Sequence, residues 1–283
     1  PHFSPLPHGV YWLYLQGPGR KESQKAMLPE IRSQDIGDVE LPFLYYPGEG
    51  PAVIMLHATG FLPWLWHPIA RELAGDFRVI APYFCDHREF DPEEGGLSWL
   101  LLAEDLAALV GGLGLEESFI VGHSMGATVA SIAEALHGPI ASRLVLIEPI
   151  FLPSGFYETG LTVEQHPLAS KSIRRRNAWR DEIEAREYLS GKDLFANWDG
   201  EMLDLYLRHG MSSYEEPGLT LACHPRREAA LFMGGMAQDP WPLLERIACP
   251  VLLLEGGRSE NRLVIDLGRA ASVIPRGELE VVA

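Results

Sequence analysis

Apolar positions in this chain fall into short, partly β-branched runs and longer stretches of helical spacing, and the two kinds alternate. Residues 39–46 read as an early strand, closed by the turn-prone Pro47-Gly48-Glu49-Gly50. Residues 52–56 are continuously apolar, as a buried strand requires, and 77–83 form another strand. Between them 64–73 predicts a helix, and 100–113 carries apolar residues at helical spacing. Strand 119–121, helix 127–135 and strand 143–148 continue the series. The alternation stops at Pro149 and resumes at Pro240, with a helix at 242–247, a strand at 251–255, a helix at 261–271 and a last strand at 279–282. Such alternation predicts an α/β fold, a mostly parallel central sheet with helices on both faces.

Residues 151–239 break the pattern. They are helical, charged and aromatic with no clear strand, and Phe195, Trp198, Leu203, Leu205, Tyr206 and Phe232 supply apolar surface for a helical cap. Arg174-Arg175-Arg176 and the alternating charges of 180–187 read as solvated helix faces. Residues 1–34 form an irregular N-terminal arm with prolines and the cluster Tyr11-Trp12-Leu13-Tyr14, and no chemistry is legible in it. The organisation expected is an arm over 1–34, an α/β core over 35–150, a cap over 151–239 and the rest of the core over 240–283.

Bulk properties narrow the function. A length of 283 residues with 47% apolar content suits one large α/β domain, and no run of eighteen apolar residues indicates a membrane span. The net charge of −16 opposes binding to nucleic acid, whose phosphates it would repel. Three cysteines, Cys85, Cys223 and Cys249, stand at no metal-like spacing and suggest reduced thiols, hence a cytoplasmic protein. The first residue is Pro, and nothing near it resembles a basic-then-apolar signal peptide.

Residues 118–130, SFIVGHSMGATVA, carry the chemistry. A short strand runs into Gly122-His123-Ser124-Met125-Gly126 and then into a small-residue helix, which is the context of a nucleophile elbow. A serine at so sharp a turn exposes its Oγ, and side chains two residues to either side would collide, so Gly122 and Gly126 are required there.

With His57-Ala58-Thr59-Gly60-Phe61 after one strand, GHSMG after a later one and PVLLLEGG after the insertion, the chain resembles the α/β-hydrolases over about residues 35–283. The resemblance implies a cap after the sixth strand and Ser124 as nucleophile. It implies an oxyanion hole from the backbone amides of Met125 and Thr59, with Phe61 as the alternative loop donor because Ala58 replaces the usual glycine. His57 and His123 are read as structural. The family's acid position after the seventh strand falls on Ser259, which cannot serve. Glu260, one residue on, can, and Glu148 at the end of the sixth strand is the second candidate. The family's histidine follows the eighth strand. None of the ten histidines stands there, so either the natural chain continues past Ala283 or activity has been lost.

The function expected is cleavage of an ester-like or related acyl bond of an apolar small molecule, with Phe61 and Trp64 lining the pocket. Neither a metal nor an organic cofactor is implied. The alternatives are a carbon–carbon bond hydrolase with the same triad and a non-catalytic ligand-binding homologue. A haloalkane dehalogenase would need a carboxylate in place of Ser124.

Overall fold

The computed structural model describes residues 27–84, 87–115, 117–213 and 218–283. Most of the expected arm, including its aromatic cluster, and Cys85 lie outside the described residues.

The first element among the described residues is strand β1 (Glu30–Asp35), which runs antiparallel to β2 (Glu40–Tyr46). β3 (Ala52–Leu56), helix α1 (His67–Leu73) and β4 (Arg78–Pro82) follow, then α2 (Trp99–Leu113), β5 (Phe119–His123), α3 (Met125–His137) and β6 (Arg143–Ile147). The last part holds α4 (Ala169–Ser172), α5 (Glu182–Ser190), α6 (Gly200–His209), the short pair β7 (Met211–Ser213) and β8 (Leu219–Leu221), and α7 (Pro225–Gly234). It ends with α8 (Trp241–Leu244), β9 (Val251–Gly256), α9 (Leu267–Val273) and β10 (Gly277–Val282).

Eight strands form one sheet in the order β1-β2-β4-β3-β5-β6-β9-β10, parallel from β4 to β10. Every residue of β3 is buried, because helices cover both faces at the centre of a parallel sheet. Helix α2 starts where the Ser98 hydroxyl accepts from the Leu100 amide, ends at left-handed Gly114, and buries Leu102, Leu106 and Leu109 at helical spacing.

The structure amends the sequence reading in four places. β1 begins inside the expected arm. As an exposed edge strand it shows no apolar alternation, so the pattern could not reveal it. The helix expected at 64–73 is a 3-10 turn, Pro63–Trp66, that passes into α1. That expected at 261–271 is the 3-10 turn Glu260–Leu263 followed by α9. The insertion carries the β7–β8 pair, extended by a bridge between Trp179 and Leu219, where no strand was expected.

Cys223 and Cys249 are buried and unbridged. No helix among the described residues is long and apolar enough to cross a membrane.

Helix α3 lies unusually close to the sheet. A side chain at Gly126 would place its Cβ 2.5 Å from the Leu56 carbonyl oxygen on β3. Gly126→Val should therefore overpack the junction and cost roughly 1–3 kcal/mol. Thermal melting is expected to shift down by several degrees, at about 2–4 °C per kcal/mol for a domain of this size. Wild-type melting would disprove the close contact.

Candidate active site

Strand β5 delivers Ser124 to the mouth of the sheet. Its φ of 53° and ψ of −116° lie where a non-glycine residue is strained. The turn is held from both sides. The Ser124 amide donates to the Ile147 carbonyl at 2.9 Å, and the Ser124 carbonyl accepts from Ala127 and Thr128 at 3.1 Å. Although Ser124 occupies the cap position of α3, its hydroxyl makes no capping bond, so Oγ is left facing the cavities above. The amide end of the thirteen-residue helix α3 lies beside it, where partial positive charge favours an anion.

Ser124 lines two adjoining cavities. The larger, about 730 Å³, also takes in Thr59, Phe61, His123, Glu148, Lys171, Glu228, Arg258, Asn261 and Ala283. The smaller, about 260 Å³, is walled mainly by apolar groups such as Trp99, Leu152, Phe232 and Ile265. Both cavities are walled mainly by apolar groups, and the larger also presents the charged side chains of Glu148, Lys171, Glu228 and Arg258.

Glu148 follows β6 with a positive φ of 48°. Its Oε1 accepts from the Gly256 amide at 2.7 Å, and its Oε2 accepts from the Ser259 hydroxyl and the Asn261 side-chain amide, each at 2.8 Å. Burial raises the carboxyl pKa, but these donors outweigh it and hold the group below its usual value. Glu148 therefore stands ionised and oriented on the same cavity as Ser124. Glu260 is exposed in the 3-10 turn and touches the smaller cavity, and its carboxylate has no hydrogen bond or ion pair among the described residues.

Thr59 and Met125 are buried beside Ser124, and neither backbone amide has a partner among the described residues. The loop that carries Thr59 turns through a bond from the Phe61 amide to the Ala58 carbonyl at 3.1 Å. His57 anchors this loop. Its Nε2 accepts from the Phe84 amide at 3.0 Å, which places the proton on Nδ1, donating to the Ala58 carbonyl at 2.9 Å. Both ring nitrogens are thereby committed. His123 lines the larger cavity. Burial lowers its pKa, with Glu148 pulling weakly the other way.

Phe61 lies on the larger cavity against Trp198 and Tyr206 of the insertion. Trp64 lies on neither cavity. Its ring stacks on His209 at 3.5 Å and its indole N–H donates to the Tyr83 hydroxyl, so it fills the seam between α6 and the sheet.

Sequence reasoning missed several groups. Ser259, which cannot itself be the acid, is one of the donors that hold Glu148, together with Asn261. Arg175, read as part of a solvated helix face, lies past the end of α4 and pairs with Glu228 of α7 at 2.7 Å. No local signal reveals that pair, since its partners stand 53 residues apart.

The sequence profile described as the alpha/beta hydrolase family matches residues 53–283, well over half of the chain. The chain belongs to the α/β-hydrolase family. An uncharacterized protein of Mycobacterium bovis is 32% identical over 100 residues, 35% of this chain and 29% of that protein, so the match spans under a third of the relative's length. The 2-(acetamidomethylene)succinate hydrolase of Mesorhizobium japonicum is 25% identical over 245 residues, 86% of this chain and 84% of the relative. The crystal structure of E-2-(acetamidomethylene)succinate hydrolase superposes with a TM-score of 0.74 at 21% identity, covering 90% of each chain. The family and the fold follow.

The buried His57 generates a pH prediction. Burial pushes its pKa from 6.5 down to about 4. Between these values the unfolded chain binds a proton that the folded chain does not. Stability is therefore full above pH 6.5 and lost as pH falls toward 4, by roughly 3 kcal/mol at about 1.36 kcal/mol per unit. Melting curves from pH 7.5 to 4.5 should fall less steeply for His57→Gln, which cannot titrate, than for the wild type. Parallel curves would clear His57 of this role.

Proposed function

We propose that this chain is a serine hydrolase that cleaves an ester-like or related acyl bond of a small molecule through an acyl-enzyme on Ser124. One observation carries the reading: a strained serine with an uncapped hydroxyl opens onto the same cavity as an ionised, triply anchored Glu148. The Mesorhizobium relative, whose named substrate carries an acetamido group, supports acyl-bond chemistry.

In this mechanism Ser124 Oγ attacks the carbonyl carbon and a base takes its proton. The negative charge that develops on the carbonyl oxygen is met by the amides of Thr59 and Met125, whose positions are fixed before the reaction begins. The reaction calls for an imidazole base held between Ser124 and the orienting carboxylate. The base then protonates the leaving group. Water, activated by the same imidazole, releases the acid product from Ser124.

We assign the orienting acid to Glu148 rather than Glu260. A triad carboxylate must hold one tautomer of the imidazole, which calls for a carboxylate that is itself held still. Three donors hold Glu148, whereas Glu260 is exposed and unanchored. Ser259, at the family's more usual acid position, serves in this reading as a donor to the acid. The insertion acts as a lid, placing Leu168, Lys171, Leu194, Glu228 and Phe232 over Ser124. The substrate then has an apolar part for the smaller cavity, and a part for the larger that can meet both apolar wall and charged groups.

Two outcomes are expected with the full-length protein. A fluorophosphonate probe should label the wild type, and Ser124→Ala should abolish the labelling and lower turnover by several orders of magnitude. Persistent labelling in that variant would put the nucleophile elsewhere. Glu148→Gln, which keeps the shape and loses the charge, should lower kcat by roughly a thousandfold or more, against less than about tenfold for Glu260→Gln. The reverse ranking would return the acid to Glu260.

A further inference from the structure

A second carboxylate, Glu228, stands on the wall of the cavity that holds Ser124. It projects from α7, a helix docked firmly on the core. The Leu97 amide donates to the Ala230 carbonyl at 3.0 Å, and the Trp99 indole N–H donates to the Leu231 carbonyl at 2.8 Å. Glu228 is only 8% exposed. Its Oε2 accepts from Arg175 at 2.7 Å, and Arg175 also donates to the Tyr206 hydroxyl at 3.3 Å, a phenol that burial keeps protonated up to about 12.

Oε1 is different. It has no donor among the described residues, and it occupies the space where Gly60 lacks a side chain, so that a Cβ there would overlap it. Gly60 has a φ of +76° and follows Thr59, the loop residue of the oxyanion site. This carboxylate oxygen, on a side chain largely withdrawn from solvent but open to the cavity, therefore lies against the loop that is to receive the carbonyl of the substrate. An acceptor withdrawn from bulk water costs free energy unless a donor meets it, and a charged acceptor makes the stronger bond. Arg175 already balances the charge, so the site calls for a neutral donor rather than a second cation.

We infer that Glu228 is a specificity-determining residue, which accepts a hydrogen bond from an N–H or O–H group of the substrate close to the scissile carbonyl. The substrate class is an acyl compound bearing a hydroxyl or a secondary amide beside that carbonyl. This inference rests on the reading of Ser124 as the nucleophile. A site built around such a bond discriminates strongly against an analogue that lacks the donor, because the acceptor is then left unpaired.

The test compares two pairs of methyl esters: 3-hydroxybutyrate with 3-methoxybutyrate, and N-acetylglycine with N-acetyl-N-methylglycine. For the full-length wild type, kcat/KM should be at least about tenfold higher for the donor-bearing member of one pair or both. Glu228→Gln must turn its amide oxygen toward the Arg175 N–H and so present an NH2 group to the cavity, exchanging an acceptor for a donor. The preference should then fall below about threefold or reverse. Melting curves report whether that variant folds. Should it not, the double variant Arg175→Met/Glu228→Met removes the buried pair without orphaning a charge and should also lose the preference. Equal rates within both pairs for the wild type, or a preference that survives the substitutions, would overturn the inference and leave the hydrolase reading standing. Absence of any turnover that depends on Ser124 would instead remove the hydrolase reading, and this inference with it.

Discussion

The left-handed backbone at Ser124 is the constraint to which the rest of the sheet answers. With φ at 53°, the chain reverses from β5 into α3 within one residue, and this carries α3 back across the face of the sheet. A helix returning at that angle presses on β3, and Gly126 leaves room for the Leu56 carbonyl. The strain, of order 1–3 kcal/mol, is borne by a junction that is bonded from both sides through Ile147 and the first turn of α3. Small residues along α3, buried from Met125 to Ala135, let the helix stay close. One strained residue thus couples the position of α3 to the exposure of a hydroxyl.

The insertion is held to the core and within itself through contacts of unequal weight. Those to the core include Arg226 with Asp91, Arg71 with Glu201 and Trp64 with His209. Arg226 with Asp91 and Arg176 with Glu184 are half-exposed pairs, of the kind that contributes at most about 1 kcal/mol. Arg71 with Glu201, the Trp64–His209 stack and the pairing of Arg175 with Glu228 are more enclosed. Enclosed ion pairs add little net stability, since desolvation offsets attraction, but breaking one partner is costly because it strands a charge. Their effect is on geometry: they set where the insertion sits over the two cavities. Phe61 takes part in this from the core side, packed against Trp198 and Tyr206.

The hydrophobic pattern of this sequence was enough to determine the alternating strands and helices, the interruption after β6 and the elbow at Ser124. Each of these is written in neighbouring residues: continuous apolar runs for buried strands, helical spacing for α2, and glycines two positions either side of Ser124. The edge strand β1, exposed along nearly all its length, left no such trace, and neither did the short β7–β8 pair. The environment of the carboxylates was decided by the tertiary structure alone. Glu148 and Glu260 are alike in sequence, each close to a strand end. Only folding brings Gly256, Ser259 and Asn261 across from the neighbouring β9 end to one of them and leaves the other in solvent. Arg175 and Glu228 likewise meet only because α7 docks beside the loop that follows α4. Local pattern records what a residue must be for its own element to form. The ionisation and orientation of a side chain depend on which distant donors pack against it, and those are chosen by the way the elements assemble.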